Sequence, residues 1–279
     1  MAINLVTKYA SQVLERFKHK SVTEGYFNRE YDAEFIGAKT VKIHSVNTVP
    51  MNDYARTGAN RYGTPTELED TVQEHSITRD RSFTYTIDKG NNIQQNFIKS
   101  AGKTLKRQID EVVVPEVDVY RFEQMDLKVP ATNKLELDLA TESAYDKFLD
   151  LQEKLDDEFV PENGRVMWAT PELIKVLKKD PNFVLPTETG QSIKFKGFQG
   201  EIDGVDIIKA PKKWLPENVM GILAHPIALA SPLQLSEYQI HQDPPGISGH
   251  LVEGRMIYDT FVFDGREVAL GEIVKKVTP

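Results

Sequence analysis

The stretch that most constrains this chain is 38–89, where two strand-like runs flank an oversized polar connection. Ala38 to Val49 is rich in Val, Ile and Thr. Glu74 to Lys89 contains Ser-Phe-Thr-Tyr-Thr-Ile, with Phe83, Tyr85 and Ile87 alternating as on a half-buried strand. Between them, Pro50 to Val72 carries Asn52, Gly58, Asn60, Gly63 and Pro65, which is turn and loop chemistry. A connection longer than about 15 residues is uncommon in a compact domain unless it is functional or disordered. A long ribbon with a polar tip does not bury itself well, so it needs a partner surface.

Other segments show helical or alternating periods. Leu5, Tyr9, Val13 and Phe17 recur every four residues and predict an N-terminal helix. Ser21 to Glu34 is polar and aperiodic, so the N-terminal stretch reads as an arm that must find an apolar partner elsewhere, on this chain or another. Asn92 to Val114 predicts the clearest helix. Ile98, Ala101, Leu105, Ile109 and Val112 form its apolar stripe, with Lys99, Lys103, Lys106 and Arg107 roughly opposite. Pro115 lacks an amide hydrogen and is expected to kink or interrupt this helix. Helical pattern resumes through Val117, Tyr120 and Phe122, giving an element of about 30 residues, near 45 Å.

A second region begins near Leu135. Lys134 to Leu139 alternates like a strand, and Ser143 with Asp146 caps a helix whose face is Ala144, Phe148, Leu151, Leu155 and Phe159. Arg165 to Ala169 reads as a short strand. Thr170-Pro171-Glu172 reads as the N-cap, first residue and first-turn acid of a helix that stops before Pro181. Gln191 to Asp203 reads as a glycine-bearing loop, and Val205 to Ala210 and Met220 to Ala224 as strands. Gln234 to His241 alternates, Asp243-Pro-Pro-Gly246 is a turn, and Arg255 to Asp264 surrounds a strand core. Asp264-Gly265 predicts a hairpin returning through Glu267 to Val274.

Composition excludes several chemistries. The 279 residues include 42 acidic and 34 basic side chains, a net charge of −8, which argues against nucleic-acid binding by the whole surface. There is no cysteine, so disulfides, thiolate metal sites and cysteine nucleophiles are impossible. No apolar run reaches about 18 residues and the start is unlike a signal peptide, so the expectation is a soluble chain made in a cytoplasm, with no membrane partner. His241, Asp243 and His250 read as a polar loop around a turn rather than a metal site, and Asp156-Asp157-Glu158 as a solvated face. Gly197 to Gly204 fits neither a dinucleotide fingerprint nor a phosphate loop, and the hydrolase elbow and zinc-protease motifs are missing. No catalytic, cofactor-binding or metal residue is assigned, and no cofactor is expected. The basic stripe reads first as a solvated helix face, and in its functional alternative as weak, salt-sensitive phosphate contact. Trp168 and Trp214 read as packing residues.

Several blocks together resemble the major capsid proteins of tailed bacteriophages. The strongest are Thr48-Val-Pro-Met-Asn-Asp-Tyr54, Gly58-Ala-Asn-Arg-Tyr-Gly63 and Asp80-Arg-Ser-Phe-Thr-Tyr-Thr-Ile-Asp-Lys-Gly90. The likeness continues through Arg107-Gln-Ile-Asp-Glu-Val-Val-Val-Pro-Glu116 and Tyr120-Arg121. It is looser at Ile222-Leu-Ala-His-Pro226 and Gly254-Arg-Met-Ile-Tyr-Asp-Thr-Phe-Val262. The resemblance implies an α+β chain with the Hong Kong 97-type shell fold. Residues 1–36 would be the N-terminal arm, 37–90 the extended β-ribbon loop over a neighbouring subunit, and 91–134 the peripheral domain with its spine helix. Residues 135–230 would be the axial domain and 231–279 the closing strands of the peripheral domain.

The same resemblance implies a structural protein rather than an enzyme. Copies would self-assemble as pentamers and hexamers into an icosahedral shell around double-stranded DNA, in a virion assembled in the bacterial host cytoplasm. Inter-subunit candidates on the extended loop are Pro50, Met51, Asn52, Asp53, Tyr54, Arg56, Arg61 and Tyr62. Lumen-facing or DNA-facing candidates are Lys99, Lys103, Lys106 and Arg107. Partners would include a separate scaffolding protein, since the chain starts directly with the arm, a portal protein at one vertex, and decoration proteins on the outside. Pro115 and the 190–204 loop are candidate joints. No lysine lies between Lys42 and Lys89, so the shell is expected to be non-covalent. The alternative reading is an encapsulin-type nanocompartment around cargo enzymes, and a third is a cytoplasmic enzyme with an unrecognised site.

Overall fold

The computed structural model describes residues 21–30, 39–94, 100–179 and 200–276. The predicted N-terminal helix, Lys99 and most of the 190–204 loop lie outside them. β1 (Thr40–Val46) and β2 (Asp70–Ser76) pair antiparallel as a two-stranded ribbon. β3 (Arg79–Asp88) leaves it and pairs with β11 (Gly249–Tyr258), which pairs in turn with β10 (Leu233–Gln242). The single strand expected over Glu74 to Lys89 is therefore broken at Ile77-Thr78. The Thr78 amide and hydroxyl both donate to Asp259 Oδ2, at 2.7 and 2.8 Å, which diverts the chain from ribbon to sheet.

The spine is built from α1 (Lys89–Gln94), α2 (Ala101–Gln108), a π turn over Ile109–Val113 and α3 (Val114–Lys128). Pro115 does not end the helix. The Val114 amide donates to the Ile109 carbonyl, five residues back. The wider turn makes room for a ring that would otherwise strike the carbonyl of residue 111. The extra residue rotates the stripe, so Val112, expected on the apolar side, is 45% exposed.

The main core surrounds a six-stranded sheet in the order β4 (Lys134–Leu137), β13 (Leu270–Lys275), β8 (Val219–Ala224), β5 (Val166–Ala169), β7 (Val205–Lys209) and β6 (Gly200–Ile202). β5 and β8 are buried along their whole length, so they read as unbroken apolar runs rather than as alternation. α4 (Ala144–Asp157) covers this sheet with Ala144, Phe148, Leu151 and Leu155, each of the three large side chains contributing about 1.5–3 kcal/mol by burial. Its approach is close: a Cβ at Gly271 would lie 2.4 Å from Leu151. Ser143 Oγ accepts from the Asp146 amide and Thr170 Oγ1 from the Leu173 amide, so α4 and α5 (Pro171–Leu177) start where the caps predict.

Three local expectations fail. Gly200–Ile202, read as loop, is the edge strand β6. Asp264-Gly265 makes a turn but no hairpin. The Gly265 amide donates to Glu267 Oε2 at 2.7 Å, a short 3₁₀ turn follows, and β13 passes between β4 and β8. β12 (Phe261–Val262) pairs instead with β9 (Leu229–Ala230). Phe159, placed on the buried face of α4, is 93% exposed.

Candidate assembly surfaces

The ribbon has two unlike faces. On one, Thr40 faces Ser76 across a 2.7 Å hydroxyl bond, Lys42 pairs with Glu74 at 3.5 Å, and His44 with Asp70 at 3.2 Å. On the other, Val41 and His75 are buried, and Val41, Ile43, Ile77, Ile257 and Phe261 form a small separate cluster. His75 lies against the Phe261 and Phe263 rings, at 5.0 and 5.6 Å, and burial holds its pKa below the usual histidine value. The Gln73 amide clamps the backbone of Asp264, donating to its carbonyl at 2.8 Å and accepting from its amide at 3.2 Å. The root is thus docked on its own subunit.

The tip is not docked. Pro50, Met51, Asn52, Asp53, Tyr54, Arg56, Arg61 and Tyr62 are all exposed, Met51 at 99% and Tyr62 at 85%. The structure brings them together on one connection between β1 and β2. That connection has its own internal order. The Tyr54 and Tyr62 rings meet edge to face at 5.0 Å, the Ala55 amide donates to the Arg61 carbonyl at 2.9 Å, and Arg61 Nε donates to the Gly58 carbonyl at 3.2 Å. Gly63, at φ 92°, is required: a Cβ there would stand 2.6 Å from Asn52 Nδ2. A pre-shaped, solvated tip loses less conformational entropy on docking than a floppy one.

Two buried carboxylates tie the surfaces to the body. Asp118 on α3 accepts from Ser21 Oγ (2.7 Å), the Val22 amide (2.8 Å) and Thr23 Oγ1 (2.6 Å). Trp168 Nε1 donates to the Val22 carbonyl at 2.8 Å, and Phe27 joins the main core. Residues 21–30 therefore find their apolar partner on their own chain. Asp259 Oδ1 accepts from the Tyr120 hydroxyl at 2.6 Å while its Oδ2 holds Thr78. Burial, then this bond, pushes the Tyr120 phenol up to about 12, so it stays a donor at any working pH. Sequence reasoning singled out neither carboxylate. Their one signal was negative: an acid on an apolar helix stripe and another inside a strand-rich block, each needing donors that only tertiary structure supplies.

Three of the four basic-stripe residues are described, and they differ in their surroundings. Lys103 and Lys106 are exposed on α2, while Thr104 on its other side accepts from the Tyr85 hydroxyl at 3.1 Å. Arg107 Nε donates to Glu111 at 2.8 Å, so its charge is compensated within the helix, and Lys99 lies outside the described residues. His241 pairs with Glu253 at 3.3 Å, Asp243 accepts from the Gly249 amide, and no three His, Asp or Glu among the described residues are grouped to hold a metal.

No family model and no curated protein matches this sequence. Solved structures match it in shape from end to end. A structure from Mycobacterium phage Che8 shares 18% identity and a TM-score of 0.70, covering 98% of each chain. The capsid of Cyanophage P-SCSP1u reaches a TM-score of 0.74 at 12% identity, covering 99% of this chain and 94% of its own. The capsid of Ralstonia phage GP4 gives 0.66 at 12%, covering 99% and 97%. The chain has the fold of phage capsid shells, the α+β Hong Kong 97-type architecture that the sequence blocks implied. The encapsulin alternative gains no support from these matches.

Proposed function

We propose that this chain is the major capsid protein of a tailed bacteriophage, a structural protein rather than an enzyme. Copies self-assemble as pentamers and hexamers into an icosahedral shell, and the shell encloses double-stranded DNA in the virion. The observation that carries this reading is the likeness of fold to phage capsids over 98–99% of the chain. The ribbon supports it: its root is fastened and its tip is shaped but uncovered, which is poor design for a monomer and useful in a lattice. Interfaces built from interlocked arms and ribbons reach on the order of 2,000–5,000 Å².

In this reading 1–36 is the arm, 37–90 the extended loop, 91–134 and 231–279 the peripheral domain, and 135–230 the axial domain. The tip from Pro50 to Tyr62 lies on a neighbouring subunit. Lys103 and Lys106 give weak, salt-sensitive contact to packaged DNA. Assembly proceeds in the host cytoplasm with a scaffolding protein, and a portal closes one vertex.

The test is negative-stain electron microscopy with size-exclusion chromatography on the chain expressed with its neighbouring phage genes. Closed icosahedral particles support the reading. A small discrete oligomer under every condition overturns it, and shells formed around a co-expressed cargo enzyme favour a nanocompartment. Particles boiled in detergent should run as a single subunit band. A ladder of covalent oligomers refutes the non-covalent shell.

A further inference from the structure

The C-terminal end of α4 carries an exposed aromatic ring in a backbone conformation that does not favour it. Phe159 has φ 56° and is 93% exposed. Its amide donates to the Asp156 carbonyl at 2.9 Å, and the Val160 amide to the Leu155 carbonyl at 3.0 Å. That is the left-handed helix stop usually filled by glycine, a conformation that a bulky side chain disfavours. The stop is held rigidly. Arg165, 1% exposed, donates to Asp156 Oδ1, the Val160 carbonyl and the Pro161 carbonyl. A buried arginine thus fixes a turn whose one large apolar side chain points into solvent, and among the described residues nothing accounts for that ring.

The surroundings indicate what covers it. Asp157, Glu158 and Glu162 are exposed beside the ring, and among the described residues none of them forms an ion pair. β5 and β7 run parallel away from this end, with Val166 opposite Asp206 there and Ala169 opposite Lys209 at the far end, about 10 Å on. The far end exposes Lys209, Lys212 and Lys213 beside half-buried Pro211, with Lys212 3.6 Å from Glu172. The exposed side chains flanking the two ends of the β5–β7 pair are therefore mainly acidic at one and mainly basic at the other. The acidic end offers an aromatic face, and the basic end offers ammonium groups on apolar stems, which suit an aromatic ring.

We infer that the Phe159 end of one subunit docks head to tail on the Lys209–Lys213 end of a second copy of this chain. Such a contact is heterologous, and heterologous contacts close into rings where the rotation between copies divides a full turn. The inference rests on the capsid reading and assigns one of its ring-forming interfaces, with Phe159 as the central anchor and the charges setting orientation.

The experiment compares wild type with Phe159→Gly, with the double reversals D157K/E158K and K212E/K213E, and with all four reversals in one chain. Assembly is read by sedimentation and electron microscopy, and subunit folding by thermal unfolding. Phe159→Gly is expected to melt at or above the wild-type temperature, because glycine suits the turn, while particle yield falls at least about tenfold. Each double reversal is expected to fold and to fail in assembly, and the four reversals together to restore particles. Particles from Phe159→Gly and from both double reversals at wild-type yield overturn this inference and leave the capsid reading standing. So does failure of the fourfold chain to recover. If wild type forms no particles, the capsid reading itself has failed.

Discussion

The ribbon and the six-stranded sheet solve opposite problems with the same chain. The sheet hides nearly everything: Trp168, Met167, Ile222, Leu223 and Ile273 are each 0% exposed, and α4 presses Leu151 onto the backbone of Gly271. The ribbon hides only its root, through Val41, His75 and the Gln73 clamp, and leaves Met51 and Tyr62 in water. Stability is thus concentrated in one body, while the ribbon tip leaves Met51, Tyr54 and Tyr62 uncovered. A substitution in the sheet should cost folding, and one at the ribbon tip should cost association while leaving the subunit intact.

The largest break in that contrast is expected at Asp118. Asp118→Ala strands three donors from the arm and leaves Arg121, 3.6 Å away and half-buried, without its carboxylate. The expected loss is about 3–5 kcal/mol in subunit unfolding by denaturant, although the residue serves the arm rather than the sheet. Phe148→Ala should cost a similar amount, about 3–5 kcal/mol, by leaving a cavity under α4. If the arm were only a lattice device, the first substitution would be silent in the isolated subunit and the second would not.

An intermediate effect is expected with pH. Burial first, and then Asp126, pushes the Glu272 carboxyl up to about 7, with Lys134 at 3.2 Å opposing them. Its folded pKa lies above the unfolded value, so the native state holds the proton more tightly. The subunit should therefore be more stable below the ordinary carboxylate range and lose about 2–3 kcal/mol as pH rises through 7. Glu272→Gln should flatten this profile. A profile with the same slope in that variant assigns the titration elsewhere.

The smallest effects belong to the ribbon. Gln73→Ala should cost about 1 kcal/mol and speed hydrogen exchange in β1 and β2 without touching β5 or β8. Tyr62→Ser, at 85% exposure, should shift subunit stability by less than about 0.5 kcal/mol. Under the capsid reading it lowers particle yield all the same. Equal yield from Tyr62→Ser and wild type would remove the tip from the interface.

Local signals were the legible part of this fold. The caps at Ser143 and Thr170 and the buried runs of β5 and β8 are written in adjacent residues, and they appear where expected. Whatever depends on a distant partner was not legible. The break at Thr78 needs Asp259, 181 positions away in sequence. The role of Asp118 needs an arm 95–97 positions earlier. Phe159 fitted the helical period but lies past the helix stop, where period no longer predicts direction. The exposed ribbon tip was legible for a different reason: a long, polar, glycine-bearing connection shows in composition that it will not pack into the core.

The π turn before Pro115 has a consequence for how this chain tolerates change. It works as a phase adjuster between two machines set to different angles. Upstream, Thr104 must face Tyr85 in the three-stranded sheet; downstream, Asp118 must face the arm. Deleting one residue from 109–113 would turn one half against the other by about 100°, so one of those two bonds has to break. The wide turn is therefore the place where the spine's length in residues is counted, and the rest of the helix depends on that count.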